Sequence, residues 1–402
     1  MLNRKIFETK IDGEPVSLEI SELAKQANAA VIGRHGDTAV LATVVMGDKN
    51  SQADYFPLTV DYEERFYAAG KIIGSRFVRR EGRPSDEATL SARLIDRSIR
   101  PLFDERLRRE IQVVVTVLAY DEKNDPDAIA LLATSTALTI SEVPWNGPVG
   151  GIKIQNSKSN GELYYQTFFA GPEEKINMIE FEGNEVSEEE LGKIFVKAQN
   201  AIRELIDFQK QIVKEVGRPK ININFAEADP RIKKIVLDFT KDKIEEALSK
   251  KATEELKTAL LEELKNADED QESIQKAGFI FEEETNAFLR NQIIEKEKRP
   301  DKRSTEEIRE LYSEVGLFRK THGSALFMRG DTQILAVTTL ASPSAEQLVE
   351  TMEMSGKKRF MLHYNFPSFS VGETGRSRGP GRREIGHGTL AAKALNAVLP
   401  AK

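Results

Sequence analysis

The sequence predicts a mixed α/β protein in which one domain occurs twice, with a helical segment between the two copies. The first observation is an internal repeat, because "AVIGRHGDTAVLATVVM" (30–46) resembles "ALFMRGDTQILAVTTL" (325–340). The second is that Arg-Arg-Glu follows each of them, starting at Arg79 and at Arg382. The third is a highly charged stretch at 231–297 that carries leucines at helical spacing. Since the two landmarks keep the same order, we interpret the repeat as the duplication of a whole domain.

Local patterns predict the individual elements. Segments rich in Val, Ile and Thr predict strands at 40–46, 112–118 and 334–339. A helix is predicted at Asp86–Ile99, because Ser85 can cap it, two acids occupy its first turn and Pro101 follows its end. Apolar periodicity predicts further helices at 129–140 and 188–213. In the charged stretch the only strand signal is at 278–281.

Together these elements predict three domains: a first α/β copy at 1–224, an all-helical domain at 225–303 and a second α/β copy at 304–402. The first copy continues far beyond its Arg-Arg-Glu, whereas the sequence stops soon after the second one. We therefore expect the second copy to be incomplete.

Composition excludes several classes of protein. The 402 residues contain no cysteine and four histidines, which excludes a disulfide framework, a thiolate nucleophile and a cysteine-based zinc site. No apolar run reaches the roughly 18 residues that a membrane-spanning helix needs. The charged amino terminus lacks the apolar stretch of a secretory signal, so a cytoplasmic location is expected.

Positive charge is concentrated in two patches, although the formal net charge is −7. Residues 71–109 contain eleven Lys/Arg and six Asp/Glu, and residues 355–393 contain eight and two. Guanidinium groups beside an aromatic ring suit single-stranded nucleic acid, since arginines bind phosphates and the ring stacks on a base. The alternative is that these arginines pair with neighbouring carboxylates on a solvated surface or at a subunit contact. In the first patch the candidate residues are Phe77, Arg79, Arg80, Arg83, Arg93, Arg97 and Arg100.

The second patch combines arginines with glycines and a histidine in "SVGETGRSRGPGRREIGHG". Glycines allow the backbone to approach a ligand closely, and a helix start favours an anion. We expect His387 to lie at such a helix start, with Arg382 and Arg383 beside it. No G-x-x-x-x-G-K-[ST] motif occurs, which disfavours a nucleoside triphosphatase.

These motifs, with "FPLTVDYEERFYAAGKI", "RREGRPSDEATLSARLIDRSIRPLF" and "PWNGPVGGIKI", resemble the amino-terminal part of the bacterial polynucleotide phosphorylase family. The resemblance covers essentially the whole chain. It implies two ribonuclease PH-like α/β domains around a helical domain, a homotrimeric ring and a possible RNA-degradation complex. It also implies phosphorolysis, in which inorganic phosphate attacks the 3′ end of single-stranded RNA and releases a nucleoside diphosphate.

The resemblance assigns a role to each candidate residue. Phe77, Arg79, Arg80 and Arg83 match the family's RNA-binding arginine loop, and Arg93, Arg97 and Arg100 match arginines of the following helix. Arg382, Arg383 and His387 match active-site positions. Mg²⁺ is the implied cofactor, with its ligands expected beyond Lys402, so no metal site is assigned within this sequence. The alternative function is a non-catalytic RNA-binding ring or scaffold subunit.

Overall fold

The computed structural model describes residues 3–11, 13–51, 55–72, 80–157, 163–223, 230–375 and 379–400. The chain divides into two compact units, one formed by residues 1–223 with 343–402 and the other by residues 224–342. The carboxyl-terminal part of the second predicted copy thus packs with the first copy. The boundaries predicted at 224/225 and 303/304 stay predictions.

A six-stranded sheet forms the centre of the first unit. Its strands are Lys5–Ile11 (β1), Glu14–Ile20 (β2), Ala29–His35 (β3), Thr38–Asn50 (β4), Leu58–Glu63 (β5) and Arg109–Ala119 (β6). The strand order is β1-β2-β3-β4-β6-β5, and all pairs are antiparallel except β5 with β6. Alternate residues of β4 and β6 are buried, so that one face of the sheet contributes to the core.

Three helices and a second sheet complete this part of the unit. The helices are Asp86–Ile99 (α1), Pro126–Ile140 (α2) and Glu188–Val216 (α3), and the strands are Gly150–Ser157 (β7), Leu163–Gly171 (β8) and Met178–Gly183 (β9). Helix α2 is buried along nearly its whole length and packs against β3 and β4. The predicted helix at 86–99 is confirmed at both ends, and the helices predicted at 129–140 and 188–213 are confirmed within slightly longer ones.

The second unit begins with four helices: Pro230–Thr240 (α4), Ile244–Ser249 (α5), Thr253–Asn266 (α6) and Gln271–Lys296 (α7). Their core contains Ile232, Val236, Leu260, Leu264 and Phe281. The strand signal at 278–281 was wrong, because these residues lie inside α7. Ile274, Ala277 and Phe281 recur at helical spacing on its buried side, and this packing outweighs the local strand preference.

Three antiparallel strands follow in the second unit, Leu311–Val315 (β10), Gly323–Arg329 (β11) and Thr332–Thr338 (β12). The strand predicted at 334–339 is therefore confirmed, with its start two residues earlier and its end one residue earlier than predicted. Every residue of β10 and β12 is exposed, in contrast to the buried face of β4, which β12 resembles in sequence.

The first unit also contains a hairpin of Gln347–Glu350 (β13) and Ser355–Lys358 (β14), and a helix at Arg382–Asn396 (α8). Helix α8, which begins with the second Arg-Arg-Glu, packs against α1, the helix that follows the first one in the sequence. Among the helices that the structure describes, none is both long enough and apolar enough to cross a membrane.

Candidate nucleic-acid interface

Helix α1 presents arginines on the side opposite its buried residues. The Ser85 hydroxyl accepts a hydrogen bond of 2.9 Å from the Ala88 N–H and caps the helix. Leu94 and neighbouring apolar residues are buried, while Arg93 is half-buried and Arg97 is exposed. Because positions four apart lie on the same face of a helix, the two guanidinium groups point in the same direction.

Helix α8 starts with an internal cap. The Glu384 carboxylate accepts hydrogen bonds of 2.8 Å from the Gly381 N–H and 2.9 Å from the Phe366 N–H, and these bonds lower the pKa of Glu384. The expectation that His387 lies at the helix start was wrong, because α8 begins at Arg382 and His387 is in its second turn. The free N–H groups at the helix start therefore belong to residues before His387.

The glycines around His387 allow close packing on both sides of α8. A Cβ atom at Gly386 would lie 2.5 Å from Arg93 Nε, so this glycine makes room for a side chain of α1. A Cβ atom at Gly388 would lie 2.9 Å from the Leu362 carbonyl oxygen and 3.2 Å from the Tyr364 nitrogen. The Gly-His-Gly sequence therefore brings two elements into direct contact with α8.

Four side chains form what we call the cationic cluster: Arg93 and Arg97 from α1, and Arg383 and His387 from α8. Burial and the neighbouring charges of Arg97 and Arg383 lower the pKa of Arg93. Burial, with Arg93, Arg383 and Arg97 in that order, lowers the pKa of His387. Within the described residues, none of the three guanidinium groups forms a hydrogen bond or an ion pair. Asp96 offsets this effect on Arg93 only in part, so the like charges still repel one another, and a bound polyanion would relieve that repulsion.

Two of the predicted arginines are occupied by other contacts. Arg100 forms an ion pair with Asp96 and donates to the backbone oxygens of Phe56 and Leu58, the latter at 3.0 Å. Arg382 pairs with Asp61 and donates at 2.8 Å to the Val60 oxygen, which ties α8 to β5. For Arg100 the structure matches the alternative expectation of pairing with a neighbouring carboxylate.

The loop before α1 is described in part. Phe77 and Arg79 lie outside the described residues. Arg80 and Arg83 are exposed, and Arg83 Nη1 is 3.5 Å from the position that a Cβ atom would take at Gly379. Arg83 therefore lies beside the glycine-rich loop of the second basic patch.

A cavity of about 270 Å³ lies between α1, α2, the β7–β9 sheet and α8. Lys153 pairs with Asp125 at this cavity, and Lys393 pairs with Glu180. The remaining acidic groups that line it are Glu87, Asp127, Glu182 and Glu353. Burial raises the pKa of Asp127 and of Glu353, so Glu87 and Glu182 supply the excess of negative charge. An excess of negative charge repels phosphate, so the cationic cluster suits RNA and this cavity does not.

The described residues do not fit the implied magnesium ion. Among them, no group of three or more His, Asp or Glu side chains is arranged to hold a metal ion.

Sequence reasoning missed the aromatic residues beside the cluster. The Arg383 guanidinium carbon lies 5.0 Å from the centre of the Phe366 ring, and the Tyr364 ring lies 5.3 Å from the His387 ring. The available signal was the alternation in "YNFPSF", which puts Tyr364 and Phe366 on one side of an extended segment. The Asp61 partner of Arg382 had no comparable signal, since the two residues are far apart in the sequence.

The sheet, the covering helices and the site define a mixed α/β protein in which motifs of two repeated copies meet. The sequence model described as "3′ exoribonuclease family, domain 1" matches residues 12–144 and 307–402, which is more than half of the chain. This chain belongs to the 3′ exoribonuclease family, and the split match agrees with a ribonuclease PH-type domain occurring twice around a helical segment.

Curated relatives match almost the entire chain. Polyribonucleotide nucleotidyltransferases from Streptococcus thermophilus, Enterococcus faecalis and Geobacillus kaustophilus are 44%, 40% and 40% identical over at least 99% of it. The chain spans 56%, 60% and 57% of these relatives. Among solved structures, rice (Oryza sativa) Rrp46 matches 53% of the chain at 15% identity with a TM-score of 0.39, which is too weak to support the assignment.

Proposed function

We propose that this chain contributes the RNA-binding site of a phosphorolytic 3′-to-5′ exoribonuclease that acts in mRNA degradation. The reaction is that of a polyribonucleotide nucleotidyltransferase: RNA and phosphate give a shortened RNA and a nucleoside diphosphate, reversibly. The observation that carries the proposal is the cationic cluster, in which arginines that form no ion pair with any described residue converge from two repeated regions in a member of the 3′ exoribonuclease family.

The chemistry explains why such a cluster is useful. An oxygen of inorganic phosphate attacks the phosphorus of the last phosphodiester, and the bond from that phosphorus to the O3′ of the preceding ribose breaks. The released O3′ takes up a proton, and the terminal nucleotide leaves as its diphosphate. Negative charge accumulates on the phosphoryl oxygens during the attack, so fixed cations stabilise the transition state.

Each member of the cluster has a part in this proposal. Arg93, Arg97 and Arg383 bind phosphoryl oxygens and orient the RNA 3′ end. The lowered pKa of His387 keeps its imidazole neutral near neutral pH, so it donates a hydrogen bond through one ring N–H. Arg80 and Arg83 extend the interface along the RNA backbone, and Phe77 and Arg79 retain their predicted RNA-binding roles. Because Arg382 is bound to Asp61 and Arg100 to Asp96, these two arginines have supporting roles.

The test incubates the 402-residue chain with end-labelled single-stranded RNA, Mg²⁺ and inorganic phosphate, and measures both nucleoside diphosphate release and RNA retention. Replacing phosphate by sulfate is the control, because sulfate cannot yield a diphosphate. Phosphate-dependent release supports the proposed reaction. Retention that is weakened by Arg80→Ala, without release, favours the alternative of a non-catalytic RNA-binding scaffold. Loss of both activities contradicts the proposal.

The family resemblance also implies a homotrimer, a magnesium requirement, partners in RNA degradation and a cytoplasmic location. These remain predictions. Sedimentation velocity tests the first, since a trimer has about three times the mass of the chain.

A further inference from the structure

The aromatic residues Tyr364 and Phe366 contact two members of the cationic cluster. Both are half-buried, their ring centres are 6.3 Å apart and their planes differ by 13°. The Phe366 ring lies beneath the Arg383 guanidinium, and the Tyr364 ring lies against the imidazole of His387.

The spacing of these contacts follows from backbone geometry. Residues i and i+2 of an extended segment are about 6.6 Å apart. Residues i and i+4 of an α-helix are separated by about 6 Å along the axis. An extended segment lying antiparallel to α8 therefore places one aromatic ring against each of Arg383 and His387.

Two further contacts fix the extended segment in this register. The Glu384 carboxylate binds the Phe366 N–H at 2.9 Å, next to the contact with Arg383. At the other end, Gly388 packs against the backbone of Leu362 and Tyr364. Because both ends are held by backbone contacts, the rings cannot slide by one residue relative to α8.

We propose that Tyr364 and Phe366 are positioning residues for the cationic cluster. Phe366 acts through Arg383, by holding the guanidinium over its ring face and reducing its freedom before RNA arrives. Tyr364 acts through His387, by holding the imidazole towards Arg93 and Arg97. The expected effect of this positioning is tighter RNA binding, and that effect rests on the proposed function.

The first experiment requires no RNA. Isotope-labelled histidine is titrated by NMR from about pH 5 to about pH 9, and His387→Gln identifies the signal among the four histidines. In the parent chain, burial of the imidazole and the charges of Arg93 and Arg97 from α1 and Arg383 from α8 hold the pKa of His387 below the ordinary value. Tyr364→Leu should raise that pKa towards about 6.5, because the imidazole can then turn towards water. Tyr364→Phe, which keeps the ring, should leave it unchanged.

The second experiment measures affinity for a single-stranded oligoadenylate. Tyr364→Leu and Phe366→Leu should each weaken binding about 5-fold. Tyr364→Phe and Phe366→Tyr, which keep an aromatic ring, should retain the affinity of the parent chain. The decisive comparison repeats each substitution in a chain that already lacks the side chain its ring contacts. Tyr364→Leu should have no effect in the His387→Gln chain, and Phe366→Leu should have none in the Arg383→Gln chain.

The outcomes separate this inference from the proposed function. An unchanged pKa of His387 in Tyr364→Leu overturns the positioning role of Tyr364. If a leucine substitution weakens RNA binding equally in the parent chain and in the His387→Gln or Arg383→Gln chain, the ring acts only in packing, which also overturns the proposal. Absence of RNA binding by the parent chain contradicts the proposed function, while the titration still decides the role of Tyr364. Should Tyr364→Leu unfold, Tyr364→Met tests the same contact with an unbranched side chain that can adapt to the space left by the ring.

Discussion

At the scale of single residues, arginines with similar sequence contexts have different roles. Arg97 and Arg100 lie within one turn of each other, yet Arg100 is bound to Asp96 and to backbone oxygens while Arg97 is exposed. The sequence assigned Arg93, Arg97 and Arg100 to the same helix. It could not show which guanidinium was already satisfied, because the accepting oxygens of Phe56 and Leu58 are distant in sequence.

The two arginines provide a matched pair of variants. Arg97→Ala should weaken binding of single-stranded RNA about tenfold and reduce the salt-dependence slope by about 0.7, because one phosphate contact is lost. Arg100→Ala should leave that slope unchanged and lower the free energy of unfolding by about 1 kcal/mol, because its hydrogen bonds are structural. Binding isotherms at several salt concentrations, with urea unfolding, check both. If only Arg100→Ala reduced the salt-dependence slope, Arg100 would be the phosphate contact and Arg97 would not.

At the scale of elements, the site depends on the close approach of α8 to its neighbours. The Gly-His-Gly sequence permits that approach, and Glu384 fixes the helix start. The sequence predicted α1 to the residue, since caps and apolar spacing are local signals. It placed His387 wrongly at the start of α8, because a glycine-rich segment does not mark where a helix begins.

Gly388→Ala tests the close approach. The added Cβ would meet the Leu362 oxygen at 2.9 Å, so the segment that carries Tyr364 must shift, and we expect a loss of about 1–3 kcal/mol in the free energy of unfolding. Gly192→Ala in helix α3 is the control, since nothing lies within 4 Å of its Cβ position. That control should stabilise the chain by about 0.5–1 kcal/mol, because alanine favours a helix over glycine. Urea unfolding measures both; equal effects would show that α8 is loosely packed.

At the scale of the whole molecule, segments far apart in the sequence share one compact unit. Arg382 joins α8 to β5, and Glu353 lines the acidic cavity beside α1 and α2. The repeat predicted that the domain is duplicated, because the motifs recur in the same order. It could not predict that residues 343–402 pack with the first copy, since a repeat specifies likeness and not contact.

The partly buried carboxyl of Glu353 makes stability depend on pH. Burial, with Asp127, Asp125 and Glu64 nearby, raises its pKa to about 8, and Lys153 opposes this shift only in part. Since the folded chain holds this proton more tightly than the unfolded chain, the contribution to stability is present below about pH 4.5 and is lost as the pH rises through about 8. The free energy of unfolding of the parent chain should therefore decrease more between about pH 5 and about pH 8 than that of Glu353→Gln.

Urea unfolding across this pH range checks the prediction, with the exposed Glu350→Gln as the control. The control should follow the parent curve. If the free energy of unfolding depended on pH in the same way in the parent chain and in Glu353→Gln, ionisation of Glu353 would not destabilise the folded chain, which would contradict the prediction.

The central claim is that one RNA-binding site is assembled from a helix of each repeated region. A double-mutant cycle on affinity for single-stranded RNA, with Arg93→Gln in α1 and Arg383→Gln in α8, tests it most directly. The account predicts that each variant weakens binding and that the two effects are non-additive by at least about 0.5 kcal/mol, because both guanidinium groups act on the same stretch of RNA. Losses that add within about 0.3 kcal/mol, or no loss from either variant, would contradict a shared site.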